Sequence, residues 1–204
     1  MLLLFKEKVL VLLGMWNSPL FVTAFILGIV IIIISLLMFI LPKKNSHLVM
    51  KFFFDICYIL QMIFIFLSSG SYLVLAGISA NVVGAIRDIA FIKNDNKEYR
   101  GYWTIGLSML MIGLLHFTYA SPISYLPVVG TLINTTALSF KNKKNVCALT
   151  LIGQIAFISY YILLLQDSDY LTILNIISAS MLFVSALSGL VIYFVKNRKK
   201  SSLL

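Results

Sequence analysis

The amino-acid sequence predicts an all-α integral membrane protein with seven transmembrane helices in a 3+1+3 parallel-repeat arrangement. Three observations carry this prediction: an apolar composition, seven apolar segments separated by short polar breaks, and short motifs that recur at a common separation. Hydrophobic residues make up 61% of the chain and charged residues 11%, whereas about a quarter of the residues of a soluble domain are charged. The mean hydropathy of +1.02 therefore excludes the class of soluble globular proteins.

Apolar segments of membrane-spanning length follow one another along the chain. A spanning helix needs about 20 mainly apolar residues. Cutting the chain at its charged and Pro/Gly-rich breaks predicts spans at 20–41, 47–69, 71–92, 102–120, 124–140, 146–165 and 170–195. The fifth segment is the most polar, because PVVGTLINTTAL contains Pro127, Asn134 and three threonines. We count it as a span, since such a helix is tolerated where its polar face meets protein or a cavity.

The first 19 residues, MLLLFKEKVLVLLGMWNSP, precede the first predicted span. The charged residues Lys6, Glu7 and Lys8 lie within the apolar stretch rather than before it, and no small-x-small cleavage site follows, which disfavours a secretory signal. We expect residues 1–19 to form a short interfacial helix that ends at Asn17 and Pro19. An eighth span is the alternative.

Basic residues are confined to alternate loops. All lysines and arginines except Lys6 and Lys8 lie around the first, third and fifth loops or in the tail 196–204, whereas the second, fourth and sixth loops (SSG, ASPIS and QDSD) contain none. The positive-inside rule then predicts an outer N-terminus and a cytoplasmic C-terminus. Attraction to anionic lipid explains the net charge of +9, so the expected partner is the lipid bilayer and not a nucleic acid.

Short motifs of the first half recur in the second half. The matching pairs, each at the inner end of a predicted helix, are DICYIL from Asp55 with QIAFIS from Gln154, PKKN to Asn45 with NKKN to Asn145, and FIKN to Asn94 with FVKN to Asn197. Their separations of 99, 100 and 103 residues predict two three-helix bundles, 20–92 and 121–195. The linker loop and fourth helix at 93–120 restore the orientation of the second bundle. Parallel repeats of this kind are a transporter architecture.

Two stretches resemble a known family: YLPVVGTLINTTAL at 125–138, followed by a short basic loop, and GAIR at 84–87. They are similar to the YgjV-type bacterial inner-membrane family, and the resemblance covers about residues 21–196 in span order. That family resembles the wider 3+1+3 group of SWEET sugar transporters and PnuC vitamin carriers. The resemblance implies a multi-pass protein of the bacterial cytoplasmic membrane that carries a small solute.

Charged residues inside the predicted second and third spans lie at similar depth. Arg87 is six residues, about 9 Å, before Lys93, and Asp55 is four residues, about 6 Å, beyond Lys51. We expect an ion pair between Asp55 and Arg87, with Asp88 turned toward the basic loop. The alternative is snorkelling of Arg87 together with a Lys51–Asp55 pair on one helix. In its functional form, the Asp55–Arg87 pair is an inner gate that changes between inward-open and outward-open states.

Polar residues recur at helical spacing within the spans, and such stripes face protein or water rather than lipid. Amide side chains both donate and accept hydrogen bonds, which suits a neutral polar solute, and the substrate-binding candidates of this kind are Asn81, Asn134, Gln61 and Gln154. Tyr58 and Tyr160 are candidates to cover the solute, or else interface anchors. Close helix packing is the alternative role for the stripes. We expect Asn175 to lie too near the outer surface to join this set.

The sequence disfavours an enzyme. His47 and His116 lie on different predicted helices, and neither HExxH nor GxSxG is present, so we expect no catalytic residues. Cys57 and Cys147 indicate no disulfide framework, metal site or cofactor. The function predicted first is a carrier of a small polar solute that works by alternating access between the two bundles. The alternative is a membrane subunit that senses, recruits or regulates a partner, and a homo-oligomer is compatible with both.

Overall fold

The computed structural model describes residues 18–40, 44–93, 97–140, 143–166 and 172–201, and every regular element in them is helical. The seven α-helices are α1 (Pro19–Ile40), α2 (Lys44–Ser69), α3 (Leu73–Lys93), α4 (Lys97–Thr118), α5 (Tyr125–Ser139), α6 (Lys143–Gln166) and α7 (Thr172–Ser201). A 3₁₀ turn, Pro122–Ser124, precedes α5. The predicted interfacial helix lies outside the described residues. The tail predicted from residue 196 continues α7 as helix to Ser201.

Six of the described helices are long and apolar enough to cross a membrane: α1, α2, α3, α4, α6 and α7. They confirm the prediction of an all-α membrane protein. The predicted fifth span is shorter than expected, because α5 has 15 residues. At 1.5 Å per residue it is about 22 Å long, against a bilayer hydrocarbon core of about 30 Å.

Local hydrogen bonds explain why α5 begins late. The Ser121 hydroxyl accepts a hydrogen bond from the Ile123 N–H at 3.2 Å, and the Ser124 hydroxyl accepts from the backbone of Ala120 and Ser121. Pro122 fits the first position of this turn because a helix start has no acceptor for its missing N–H. The reciprocal serine bonds replace water at the first backbone N–H groups, and α5 starts only after them.

Six helices form a closed ring in the order α1, α2, α3, α5, α6 and α7, with α7 packing back on α1. Helix α4 lies outside this ring, against α3 and α5. Only 11% of the residues in the spanning part of α4 are buried, against 67% for α3. Most of the spanning part of α4 therefore lies on the outside of the bundle, whereas α3 is a central element of it.

The bundle has two ends. The lysine end carries Lys51, Lys93 and Lys144, and the far end is the opposite one. The main apolar cluster fills the far end, where the starts of α1 and α3 meet the ends of α2 and α6 through buried side chains that include Phe21, Met62, Ile65, Val74 and Leu164. Residues nearer the lysine end are more polar, so the apolar core of the ring is asymmetric along its axis.

Arg100 fixes the start of α4 to the ring. Its guanidinium donates to the carbonyl oxygens of Phe91 at 3.1 Å and Leu138 at 3.4 Å, and it lies 5.1 Å from the centre of the Phe91 ring. These carbonyls belong to the last turns of α3 and α5, where helix dipoles favour a cation. One buried side chain thus joins three helices at the lysine end.

Candidate functional site

A polar cavity lies inside the ring, between α2 and α3 on one side and α5, α6 and α7 on the other. Its volume is about 30 Å³, which is room for a molecule of the size of water. The polar side chains that line it are Lys51, Asp55, Tyr58, Asn81, Arg87, Thr131, Asn134, Gln154 and Tyr161. A cluster of this polarity is expensive inside a membrane protein unless its groups are paired or bind something.

Most of the residues singled out in the sequence meet at this cavity. It is lined by Asp55, Tyr58, Asn81, Arg87, Asn134 and Gln154, whereas Gln61 and Tyr160 do not line it. Sequence reasoning missed Thr131 and Tyr161. Helical spacing offered a signal for both, because Thr131 is one turn before Asn134 and Tyr161 is two turns after Gln154.

Four charged side chains form a chain of ion pairs at the lysine end of the cavity. Lys51 Nζ lies 3.0 Å from Asp55 Oδ1, and Arg87 Nη2 lies 3.5 Å from Asp55 Oδ2 and 2.8 Å from Asp88 Oδ1. Both arrangements considered from the sequence, the pair on α2 and the pair between α2 and α3, are present together. The two cations balance the two carboxylates, so the cluster is neutral when all four groups are ionised.

The prediction that Asp88 turns toward the basic loop is wrong. Asp88 is fully buried and accepts a hydrogen bond from Arg87 Nε at 2.8 Å. The physical reason is that Arg87, itself only 2% exposed, needs a strong counter-charge, and its distance to Asp55 is the longer one. Asn175 does not line the cavity and is fully buried three residues after the start of α7, and its depth relative to the outer membrane surface stays a prediction.

Two glycines make room for polar side chains from neighbouring helices. A Cβ atom at Gly84 of α3 would lie 2.5 Å from Asp55 Oδ2, and one at Gly153 of α6 would lie 2.5 Å from Asn134 Oδ1. The carboxylate and the amide therefore occupy space that any larger residue would fill. Close approach of this kind is the usual role of glycine between membrane helices.

The amides differ in the hydrogen bonds they already make. Asn81 Nδ2 donates to the carbonyl oxygen of Gly77 at 2.7 Å, so its amide nitrogen is used within α3. Among the described residues, no group donates a hydrogen bond to the buried Asn134 Oδ1. An unpaired buried acceptor is costly, and a ligand that donates a hydrogen bond would satisfy it.

Aromatic rings cover the cavity toward the far end. The ring centres of Tyr58 and Tyr161 are 5.9 Å apart, and Phe157 stacks on Tyr161 at 6.3 Å. Tyr160 serves a different contact, because its hydroxyl donates to the carbonyl oxygen of Leu73 at 2.7 Å. That bond ties α6 to the start of α3, and we call it the Tyr160 latch.

The fold and the site define a multi-pass helical membrane protein with a polar, charge-balanced centre. The chain belongs to the Imp-YgjV family of bacterial inner membrane proteins, whose family model matches residues 22–188. This match confirms the resemblance inferred from the sequence and, with the spanning helices, places the protein in the bacterial inner membrane. No curated protein and no solved structure matches the chain.

Removal of Arg87 should destabilise the protein more than removal of Asp55. Arg87→Ala leaves Asp88 buried beside no cation and should lower the free energy of unfolding by about 3–5 kcal/mol. Asp55→Ala leaves the Arg87–Asp88 pair intact and should cost less. A double-mutant cycle of Arg87→Ala and Asp88→Ala, measured by unfolding in detergent micelles, should recover most of the loss. Strictly additive losses would show that the two side chains are not coupled.

Gly84→Ala should disturb the Asp55–Arg87 contact. The added methyl group would displace the Asp55 carboxylate, and we expect a loss of about 1–3 kcal/mol in the free energy of unfolding. Gly113→Ala on α4 is the matched control, because nothing lies within 4 Å of a Cβ atom there. Equal stability of the two variants would contradict the close packing of Asp55 on α3.

Proposed function

We propose that this protein carries a small, neutral, polar solute across the bacterial inner membrane by alternating access. One observation carries the proposal: a polar, charge-balanced cavity lies inside a ring of helices in a chain that is 61% hydrophobic. Polar groups at membrane depth generally mark a solute or ion pathway. An internal polar cavity favours the carrier over a membrane subunit that only recruits or regulates a partner.

The helix packing supports a 3+1+3 repeat. Exchanging α1, α2 and α3 with α5, α6 and α7 converts each contact of the ring into another contact of the ring, and α4 lies outside it as the linker. Part of the cavity lining follows the same exchange at the 99-residue offset. Asp55 corresponds to Gln154 and Tyr58 to Phe157, and all four line the cavity. A solute site on the axis between two repeats is typical of carriers with parallel repeats.

The carrier cycle requires the cavity to widen. Its volume of about 30 Å³ is small beside the roughly 300–1,000 Å³ of pockets that hold drug-sized ligands. The Tyr160 latch joins the second bundle to the first at the far end, so its release would separate them there. At the lysine end, Asp55 lies between Lys51 and Arg87, and exchange of the carboxylate between these cations would act as the inner gate.

The cavity amides should be needed for transport. We expect Asn81→Leu or Asn134→Leu to reduce uptake at least about tenfold, because a site built to hydrogen-bond a solute discriminates strongly when a partner is lost. Thr136→Val on α5 is the control, since the Thr136 hydroxyl bonds only the Leu132 carbonyl of its own helix in the described structure. Uptake into proteoliposomes, screened over sugars, nucleosides and vitamins, measures the effect.

Three other outcomes of that screen are informative. Full uptake in both leucine variants would remove the two asparagines from the site. Loss of folding in detergent would assign them to helix packing. Wild-type protein that takes up no member of the panel would contradict the carrier and favour the subunit that senses, recruits or regulates a partner.

The orientation predicted from the loop charges is tested by thiol labelling. In a variant without Cys57 and Cys147, a cysteine at the exposed Ser69 should react with an impermeant reagent in intact cells. A cysteine at Lys93 should react only after the membrane is opened. The reverse pattern would place the lysine end outside.

A further inference from the structure

Two amide side chains outside the central cavity have no use in the site described so far. Gln61 of α2 and Asn175 of α7 are both 0% exposed, and none of their four side-chain nitrogen and oxygen atoms has a hydrogen-bond partner among the described residues. Burying an amide without a partner destabilises a fold, because its bonds to water are lost and not replaced. Two such residues on separate helices therefore point to a ligand or to a state in which they are solvated.

Both amides lie one helical turn beyond residues that line the cavity. Gln61 is three residues after Tyr58 on α2, and Asn175 is four residues before Ala179 on α7, so each shares a face with a lining residue. In both cases the step leads away from Lys51, toward the far end. The two amides thus continue the polar surface of the cavity in the same direction.

Gly28 of α1 provides the space at this level. A Cβ atom at Gly28 would lie 2.7 Å from Gln61 Nε2 and would also collide with the side chain of Leu174. One turn closer to the lysine end on α7, the hydroxyl oxygens of Ser35 and Ser178 lie 3.0 Å apart and join α1 to α7. The amides therefore belong to the region where α1, α2 and α7 meet.

The repeat relates this region to the Tyr160 latch. Gln61 corresponds to Tyr160 at the 99-residue offset, and Asn175 corresponds to Leu73 at an offset of 102, inside the range of 99 to 103 seen in the motifs. On one side of the ring this pair of positions is closed by a hydrogen bond. On the other side of the ring, the corresponding positions are the amides of Gln61 and Asn175, whose donors and acceptors are unused.

We propose that Gln61 and Asn175 form a second solute subsite on the far side of the cavity, at the junction of α1, α2 and α7. This inference rests on the proposed carrier function and adds the path by which the solute passes between the far end and the centre. The two sides of the ring differ, and this difference indicates the route of the solute. On one side the Tyr160 latch joins the helices, whereas on the other side the Gln61 and Asn175 amides are available to bind a polar molecule.

The chemistry of the subsite restricts the solute. Each amide supplies N–H donors and a carbonyl acceptor but no charge, so it fits hydroxyl or amide groups of a neutral molecule. The apolar side chain of Leu174, which lies beside Gly28 together with Gln61, would disfavour an ion at this subsite. A solute that forms hydrogen bonds both in the central cavity and at this subsite therefore carries several uncharged polar groups.

Near-isosteric variants test the subsite. We expect Gln61→Met and Asn175→Leu to raise the half-saturating external concentration for uptake about tenfold or more, which corresponds to the loss of one good hydrogen bond. Proteoliposomes are assayed with radiolabelled glucose, uridine and nicotinamide as probes. Thermal unfolding in detergent is measured in parallel, and neither variant should lose stability, since each removes an unpaired buried group. Thr135→Val is the matched control, because the buried Thr135 hydroxyl also lacks a partner in the described structure and does not line the cavity.

The outcomes separate the subsite from the carrier function. Wild-type uptake that persists unchanged in both amide variants overturns the subsite and leaves the carrier intact. A fall in unfolding temperature that parallels the loss of uptake overturns it as well, because the amides would then be packing residues. Equal loss in Thr135→Val overturns it by showing a general effect. Absence of wild-type uptake of every probe contradicts the carrier and the subsite together.

Discussion

The buried guanidinium of Arg87 is the constraint around which the centre of the bundle is organised. A charge at 2% exposure within a spanning helix is tolerable only with counter-charges at hand, and Arg87 has two, on its own helix and on α2. Asp55 in turn draws Lys51 into the cluster. The mutual position of α2 and α3 thus follows from charge balance as much as from apolar packing, and the polar cavity forms beside this neutral cluster.

Small residues allow the helices to approach closely enough for these polar contacts. Gly84 lets the Asp55 carboxylate lie against α3, and Gly153 does the same for the Asn134 amide against α6. The two contacts lie in different halves of the ring but follow one scheme, in which a polar side chain of one helix fills the place of a missing side chain on the next. At this depth, the close packing of the helices is therefore made by polar side chains.

The sequence predicted the spans well because composition and bilayer thickness leave few choices, as the third span at 71–92 and helix α3 at Leu73–Lys93 illustrate. Helix α4 starts earlier than expected, because Arg100 is buried by bonds to Phe91 and Leu138 that no local pattern reveals. The depth of Asp55 and Arg87 along their helices was enough to predict that the two side chains lie close together. The pairing of Asp88 with Arg87 depended on a side-chain rotamer, which one sequence cannot specify.

The choice between Tyr160 and Tyr161 shows the same limit. Adjacent residues on a helix point about 100° apart, and only the position of α3 decides which tyrosine reaches the Leu73 carbonyl and which reaches the cavity. Polar periodicity grouped residues of α2 and α3 that line the cavity, among them Tyr58 and Asn81. It gave no information on where along those helices the cavity ends, which is why Gln61 was grouped with it.

The short length of α5 has an electrical consequence. The voltage across a membrane falls over the insulating material between the two aqueous phases, and a unit charge that crosses 100 mV changes in energy by about 2.3 kcal/mol. Where the wall of the ring is only about 22 Å tall instead of about 30 Å, that fall is compressed into a shorter distance. Asn134 lies five residues before the end of α5, next to the cavity that also holds Arg87. Charges of the ion-pair cluster that move along the bundle axis would therefore couple to the membrane voltage, and the coupling would grow as the insulating wall beside them becomes shorter.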